Sequence, residues 1–202
     1  VFTITKIGAI ILLIFIGFYV GIQNGWIHFD HFLRTATTYD ADKHQFIDVS
    51  WGQFASLFGV AMIGPLFSSS AWNNVTFASA DFEDPKKTIA KGLAYGSALV
   101  CLLYFLTNMA YLGILPLDGS ETGETSYLRG IMFASQDRLG SAALETVFGA
   151  LGATIMAVLI MISTFGCNNG IILAGGRLFE AMANDKLFFK KAAETNKNGV
   201  PS

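Results

Sequence analysis

Residues 66–75, LFSSSAWNNV, set three serines, a tryptophan and two asparagines in the middle of a long apolar stretch. The hydroxyls of Ser68, Ser69 and Ser70 compete with the backbone for hydrogen bonds, and Pro65 just ahead removes one donor from a helical ladder. A kinked but continuous helix and a true break both fit this composition. If the helix breaks, its incoming half ends near Phe67 with carbonyls exposed. The outgoing half begins near Ala71 with free N–H groups, and Ser69 or Ser70 is its N-cap. The first end then suits an ammonium group and the second an anion or a polar group, which is the chemistry of holding a zwitterion. Trp72 and Asn73 add an aromatic wall and a side chain that both donates and accepts. Unpaired backbone groups cost on the order of several kcal/mol each in hydrocarbon, so such a break is expected to line a cavity or meet a ligand.

Other chemistry-bearing residues point less far. His28 and His31 stand three apart, and His44 follows, but no further ligand has metal-site spacing, so a solvated loop is the expectation. Cys101 and Cys167 lie in different apolar stretches and read as free thiols. Gly175, Gly176 and Arg177 lack the flanks of a phosphate-binding loop, and no nucleophile and base are paired. The sequence therefore predicts no catalytic residues, no metal, no cofactor and no nucleic-acid partner. Lys6 lies within an apolar run; a lysine costs about 2.5 to 3.5 kcal/mol near mid-bilayer, but much less where it snorkels to an interface.

These residues must be positioned by membrane helices. The chain is 52% hydrophobic and 14% charged, with a mean hydropathy of +0.50, and a helix needs about 20 apolar residues to cross a hydrocarbon core about 30 Å thick. Four runs qualify, at about 1–22, 54–82, 93–115 and 142–174, the second being the broken one. The fold class is all-α integral membrane. Loops 23–53 and 116–141 are mostly acidic, whereas 83–92 carries Lys86, Lys87 and Lys91, and 175–202 carries Arg177, Lys186, Lys190, Lys191 and Lys197. Basic residues stay in the cytoplasm, so both termini are expected there and the two acidic loops outside. The second of these loops turns amphipathic around 127–134, which predicts a short surface helix. GLAYG at 92–96 and GALG at 149–152 read as close-packing signals between helices. The first residues already resemble the inside of a span, so the chain reads as a piece of a longer protein.

LFSSSAWNNV, followed by FASADFEDPKKTIAKG with Asp81 four residues before Pro85, resembles the sixth helix and following turn of amino-acid transporters of the amino acid–polyamine–organocation superfamily, nearest the L-type branch. VFTITKIGAI resembles the family's fifth helix, YFLTNMAYLGIL its seventh, STFGCNNGIILAGGRLFEAMANDKLF its eighth, and NGVPS the lead into the ninth. The resemblance covers nearly all of the chain except the two acidic loops. It implies a partial permease domain over 1–202, holding helices five to eight of a twelve-helix transporter with the LeuT-type inverted-repeat fold.

The resemblance implies roles as well. Phe67, Ser68, Ser69 and Ser70 belong to the substrate site, with the carbonyls of Phe67, Ser68 and Ser70 toward the amino group, and Trp72 and Asn73 shaping the pocket or gate. Lys6 stands where sodium sits in other members, with partners near Ser163, Thr164 and Cys167. Two glycines are usual just before the tryptophan, but here the residues are Ser70 and Ala71, which adds bulk where substrate is held. The implied function is secondary transport of amino acids, neutral L-amino acids in particular, by sodium-independent exchange or proton-coupled uptake across the plasma (inner) membrane. A non-transporting scaffold or amino-acid sensor is the alternative. The implied partners are an amino-acid substrate, the lipid bilayer and the remaining helices, above all the first.

Overall fold

The computed structural model describes residues 2–26, 37–40, 43, 45–82 and 84–194, with the backbone alone at Phe46, Ala71, Asn73, Ala78, Ala80 and Asp81. His28, His31, His44 and the terminal NGVPS lie outside the described residues. Among the described residues, three helices are long and apolar enough to cross a membrane: α1 (Phe2–Gln23), α4 (Pro85–Ile114) and α7 (Ala150–Asn184). Only 6% of the most apolar stretch of α7 is buried, and 17% and 22% in α1 and α4. Apolar faces left outward are the reverse of a water-soluble bundle and are what lipid and neighbouring membrane helices require. This is an integral membrane protein.

The second expected span is not one long α-helix. Ser50 caps α2 (Trp51–Ala61) through a capping box with Gln53, and α3 (Ile63–Ser68) follows after Met62 alone. Pro65 sits in the first turn of α3, where its missing N–H is tolerated. The amide of Met62 still reaches Phe58 at 3.0 Å and that of Leu66 reaches Met62 at 3.0 Å, so Pro65 interrupts one bond and not the path. The path changes after Ser69, where a 3₁₀ helix takes over from Ser70 to Asp81. A tighter coil rises by roughly 2 Å per residue instead of 1.5 Å and rarely runs beyond one turn, so this stretch stands apart from the other helices among the described residues.

The expected fourth span is divided as well. α6 (Leu139–Phe148) ends at Gly149, whose backbone angles of φ 64° and ψ −151° suit glycine alone, and α7 starts at the next residue. Gly149 is thus a corner set by its backbone angles, while Gly152 of the same GALG stretch packs closely against the Leu144 backbone. α4 opens eight residues earlier than the apolar run, on Pro85, which is pre-shaped for a helix start. The surface helix expected over 127–134 is one turn, α5 (Ser126–Arg129), stopped by Gly130 at φ 65°. The loop expected at 23–53 carries an element that an all-α reading lacks: strands β1 (Thr37–Asp40) and β2 (Gln45–Asp48), antiparallel, with Thr37 opposite Asp48.

The chain divides into two compact units. One holds residues 7–69 and 103–159. Its core is small and gathers Ile114 and Leu115 with Ala134, Ala142 and Ala143. Here α1 meets α4 at Gly17 and Ala110. The hairpin docks on the loop after α4: Tyr39 meets the Phe133 ring edge-on at 4.9 Å. Its phenol is held above its ordinary pKa by desolvation, then by the charge and hydrogen bond of Glu121. The loop is braced by Arg129, which donates from Nε to the Gly123 carbonyl at 2.7 Å and from a terminal nitrogen to Ser135. The other unit holds residues 1–6, 70–102 and 160–202. In it Phe2 packs edge-on against Phe165 at 5.3 Å, and Phe179 stacks on Phe188 at 5.0 Å.

Candidate functional site

The serine triplet lies where α-helical bonding ends. Ser68 donates from Oγ to the Pro65 carbonyl at 2.9 Å and Ser69 does so at 2.8 Å, while the Ser69 amide reaches the same oxygen at 3.1 Å. Three donors converge on one carbonyl. Serine hydroxyls that fold back three or four residues compete with the helical ladder and bend it, and two consecutive ones do so together. The Ser69 hydroxyl therefore closes the incoming helix and does not cap the outgoing one, which removes Ser69 from the two expected N-cap residues. The incoming helix ends at Ser68, one residue beyond Phe67, and the outgoing segment is 3₁₀ from Ser70 in place of an α-helix from Ala71.

Phe67 and Trp72, on either side of the change, are 80% and 62% exposed. These rings present apolar surface that the chain itself does not cover. The backbone of Asn73 lies in the 3₁₀ helix; its side chain is outside the described ones.

Lys6 lies one turn into α1, half-buried, and donates from Nζ to the Cys167 sulfur at 3.0 Å. Gly166 permits the close approach of α1 to α7 here, because a Cβ there would stand only 2.8 Å from the Cβ of Phe2. Of the residues named with Lys6, the structure brings Cys167 to it. The Thr164 hydroxyl instead donates to the Ile160 carbonyl of its own helix at 2.9 Å. Ser163 is half-buried, one turn before Cys167 and on the same face of α7. An ammonium group carries three donors and a full charge, so one bond to a thiol leaves a cation available to other groups.

Among the described residues, no cluster of three or more histidine, cysteine or acidic side chains could hold a metal ion. The Pro65 carbonyl was the residue that sequence reasoning missed. Its signal was available: serines three and four residues after a proline are spaced to return to that carbonyl.

A family model described as amino acid permease matches the chain over residues 1–202. The chain belongs to the amino acid permease family. That is a family of transporters and not of enzymes. Among its relatives is the serine/threonine exchanger SteT of Bacillus subtilis (strain 168), 29% identical over 146 residues that make up 72% of this permease chain and 30% of SteT. The Asc-type amino acid transporter 1 of Mus musculus is 28% identical over 182 residues, 88% of this chain and 29% of the transporter. The large neutral amino acids transporter small subunit 2 of Homo sapiens is 27% identical over 133 residues, 64% of this chain and 22% of that subunit. This permease chain thus spans less than a third of the length of the curated relatives it matches. No solved structure matches it.

Proposed function

We propose that this chain supplies part of the substrate site and the built-in cation of a secondary transporter that exchanges neutral L-amino acids without sodium. The observation that carries the reading is the end of α-helical bonding at Ser68, within an apolar segment of a permease. Carbonyls around Phe67, Ser68 and Ser70 take the amino group, and Trp72 and Asn73 shape the side-chain pocket. The substrate carboxylate rests on a helix outside this chain, in the manner of half-helix N-termini that hold anions. Neutral substrates and exchange are supported by the relatives, one an exchanger of serine and threonine and another a transporter of large neutral amino acids.

Sodium independence is supported by Lys6. A lysine Nζ bonded to α7 through Cys167 puts a side-chain ammonium where a bound cation would otherwise join the two helices. The segment 54–82 makes the second of four crossings, within a LeuT-type arrangement completed by helices outside this chain. Both ends of the chain face the cytoplasm of a plasma (inner) membrane, because segments 83–92 and 175–202 carry Lys86, Lys87, Lys91, Lys186, Lys190 and Lys191 whereas loops 23–53 and 116–141 are mostly acidic. The contact of Tyr39 with Phe133 supports this, since it brings the two acidic loops together.

The test uses the full-length protein in liposomes loaded with serine. Serine or threonine outside should accelerate efflux of the loaded serine, and replacing sodium by choline should change nothing. Lys6→Met should lower exchange at least tenfold. A strict sodium requirement removes the role of Lys6. Binding without any flux makes the protein a sensor.

A further inference from the structure

The end of α7 carries a feature outside the proposed substrate site. The helix runs to Asn184 and is closed by a two-bond reversal: the Lys186 amide donates to the Ala183 carbonyl at 3.1 Å and the Leu187 amide to Met182 at 2.8 Å. The residue at the turn is Lys186, at φ 64°. Glycine is usual there, since a side chain is strained in the left-handed region, so this helix ends on a lysine at a conformational cost.

The reversal folds the next residues back along the helix. Phe188 stacks on Phe179 at 5.0 Å and Phe189 meets Phe188 edge-on at 5.0 Å. Beside this aromatic column Leu187 and Phe189 stand 72% and 77% exposed, and Lys190 and Lys191 follow at once in a single 3₁₀ turn. The apolar run of α7 ends near residue 174, and Phe179 lies five residues on, about 7.5 Å along the axis. Phe188 is held level with Phe179, so the folded-back segment lies in the headgroup layer, which reaches about 5–7.5 Å beyond the hydrocarbon core. From within that layer an exposed leucine and phenylalanine reach down toward the acyl boundary, and lysines beside them meet phosphates. Asp185 and Glu194 stand at the two ends of the segment, leaving the three lysines between them.

We propose that residues 186–193 form an interfacial anchor that binds the headgroup of an anionic phospholipid, with Leu187 and Phe189 inserted below it and Lys186, Lys190 and Lys191 around the phosphate. The inference rests on this end of α7 and is independent of what the protein transports.

The experiment uses the full-length protein and two lipids, phosphatidylglycerol and phosphatidylcholine, with retained lipid counted by native mass spectrometry. The wild type should retain phosphatidylglycerol in preference, and salt should erase the preference. Lys186→Gln, Lys190→Gln and Lys191→Gln should each lower it roughly fivefold, from the attraction of about one lysine to an anionic surface. The same three positions as arginine should keep it. A nitroxide on Leu187→Cys, with Cys101 and Cys167 replaced by serine, should report a depth at or just below the phosphates. A glutamine triple variant with unchanged preference overturns the proposal, and so does a nitroxide at bulk-water depth. The nitroxide reading decides alone if the triple variant does not fold.

Discussion

α6 stops at Gly149 and α3 stops at Ser68, both within apolar sequence, and the two stops are made of different physics. At Gly149 the backbone enters a region that only glycine occupies comfortably, the Gly149 amide closes on Glu145 at 2.7 Å, and the helix resumes at once. Nothing lies within 4 Å of where a Cβ would stand, so the constraint there is purely conformational. At Ser69 the backbone is ordinary, with φ −90° and ψ 0°, and no glycine is present. What ends the α-helix is chemical: two hydroxyls and an amide on one carbonyl. A stop fixed by one residue's dihedral angles cannot move along the chain. A stop held by a few hydrogen bonds can be shifted by a ligand that binds one arrangement better than the other. The permease family's substrate chemistry is proposed at the second kind.

The largest effect expected from this contrast is at Gly149. Gly149→Val forces a β-branched side chain into a region open essentially to glycine, at a cost of about 1–3 kcal/mol. Thermal unfolding of the full-length protein measures it; an unchanged midpoint means the α6–α7 corner is not conformationally fixed. Next is Ser68→Ala with Ser69→Ala. Two hydroxyl bonds at about 1 kcal/mol each have a combined weight of about 2 kcal/mol, or roughly thirtyfold in the balance between stopped and continuous helix. Amide hydrogen exchange over 69–73 should slow by that order, and amino-acid flux should fall. Exchange as fast as in the wild type means the hydroxyls do not hold the stop.

The smallest effect is at Tyr39, at the loop end of the unit that contains Gly149. Its folded pKa is raised, so its contribution to hairpin docking is full below the ordinary tyrosine value of about 10 and is lost as pH rises through the folded value. Phenolate absorbance should show Tyr39 titrating late, as the part of the late absorbance change that Tyr39→Phe removes. A Tyr39 that titrates with the rest means Glu121 does not hold it.

Much of the site was legible because membrane sequence is highly constrained. Twenty apolar residues read as a span, and serines after Pro65 in such a run read as a disturbance. Lys6 and Cys167 were each visible, and the resemblance paired them. What escaped was the outcome of competition among close alternatives. Whether Ser69 caps the next helix or returns to Pro65 depends on which bond the local backbone angle permits, and both serve the same hydroxyl. The hairpin 37–48 was hidden because its two strands are only four residues each, too short for a periodic pattern, and Tyr39 finds its partners about ninety residues away.

By itself the sequence determined that the chain lives in a membrane, roughly where it crosses, and which family it belongs to, because hydropathy and motif spacing are local properties. Tertiary structure decided the rest. That the segment after Ser69 coils as 3₁₀, that Lys6 meets Cys167 across 161 positions, and that a lysine closes α7 all depend on which groups are brought within about 3 Å of each other. The bond from Lys6 to Cys167 is settled only when distant parts of the chain are in place, while the other two turn on which of several competing local bonds forms.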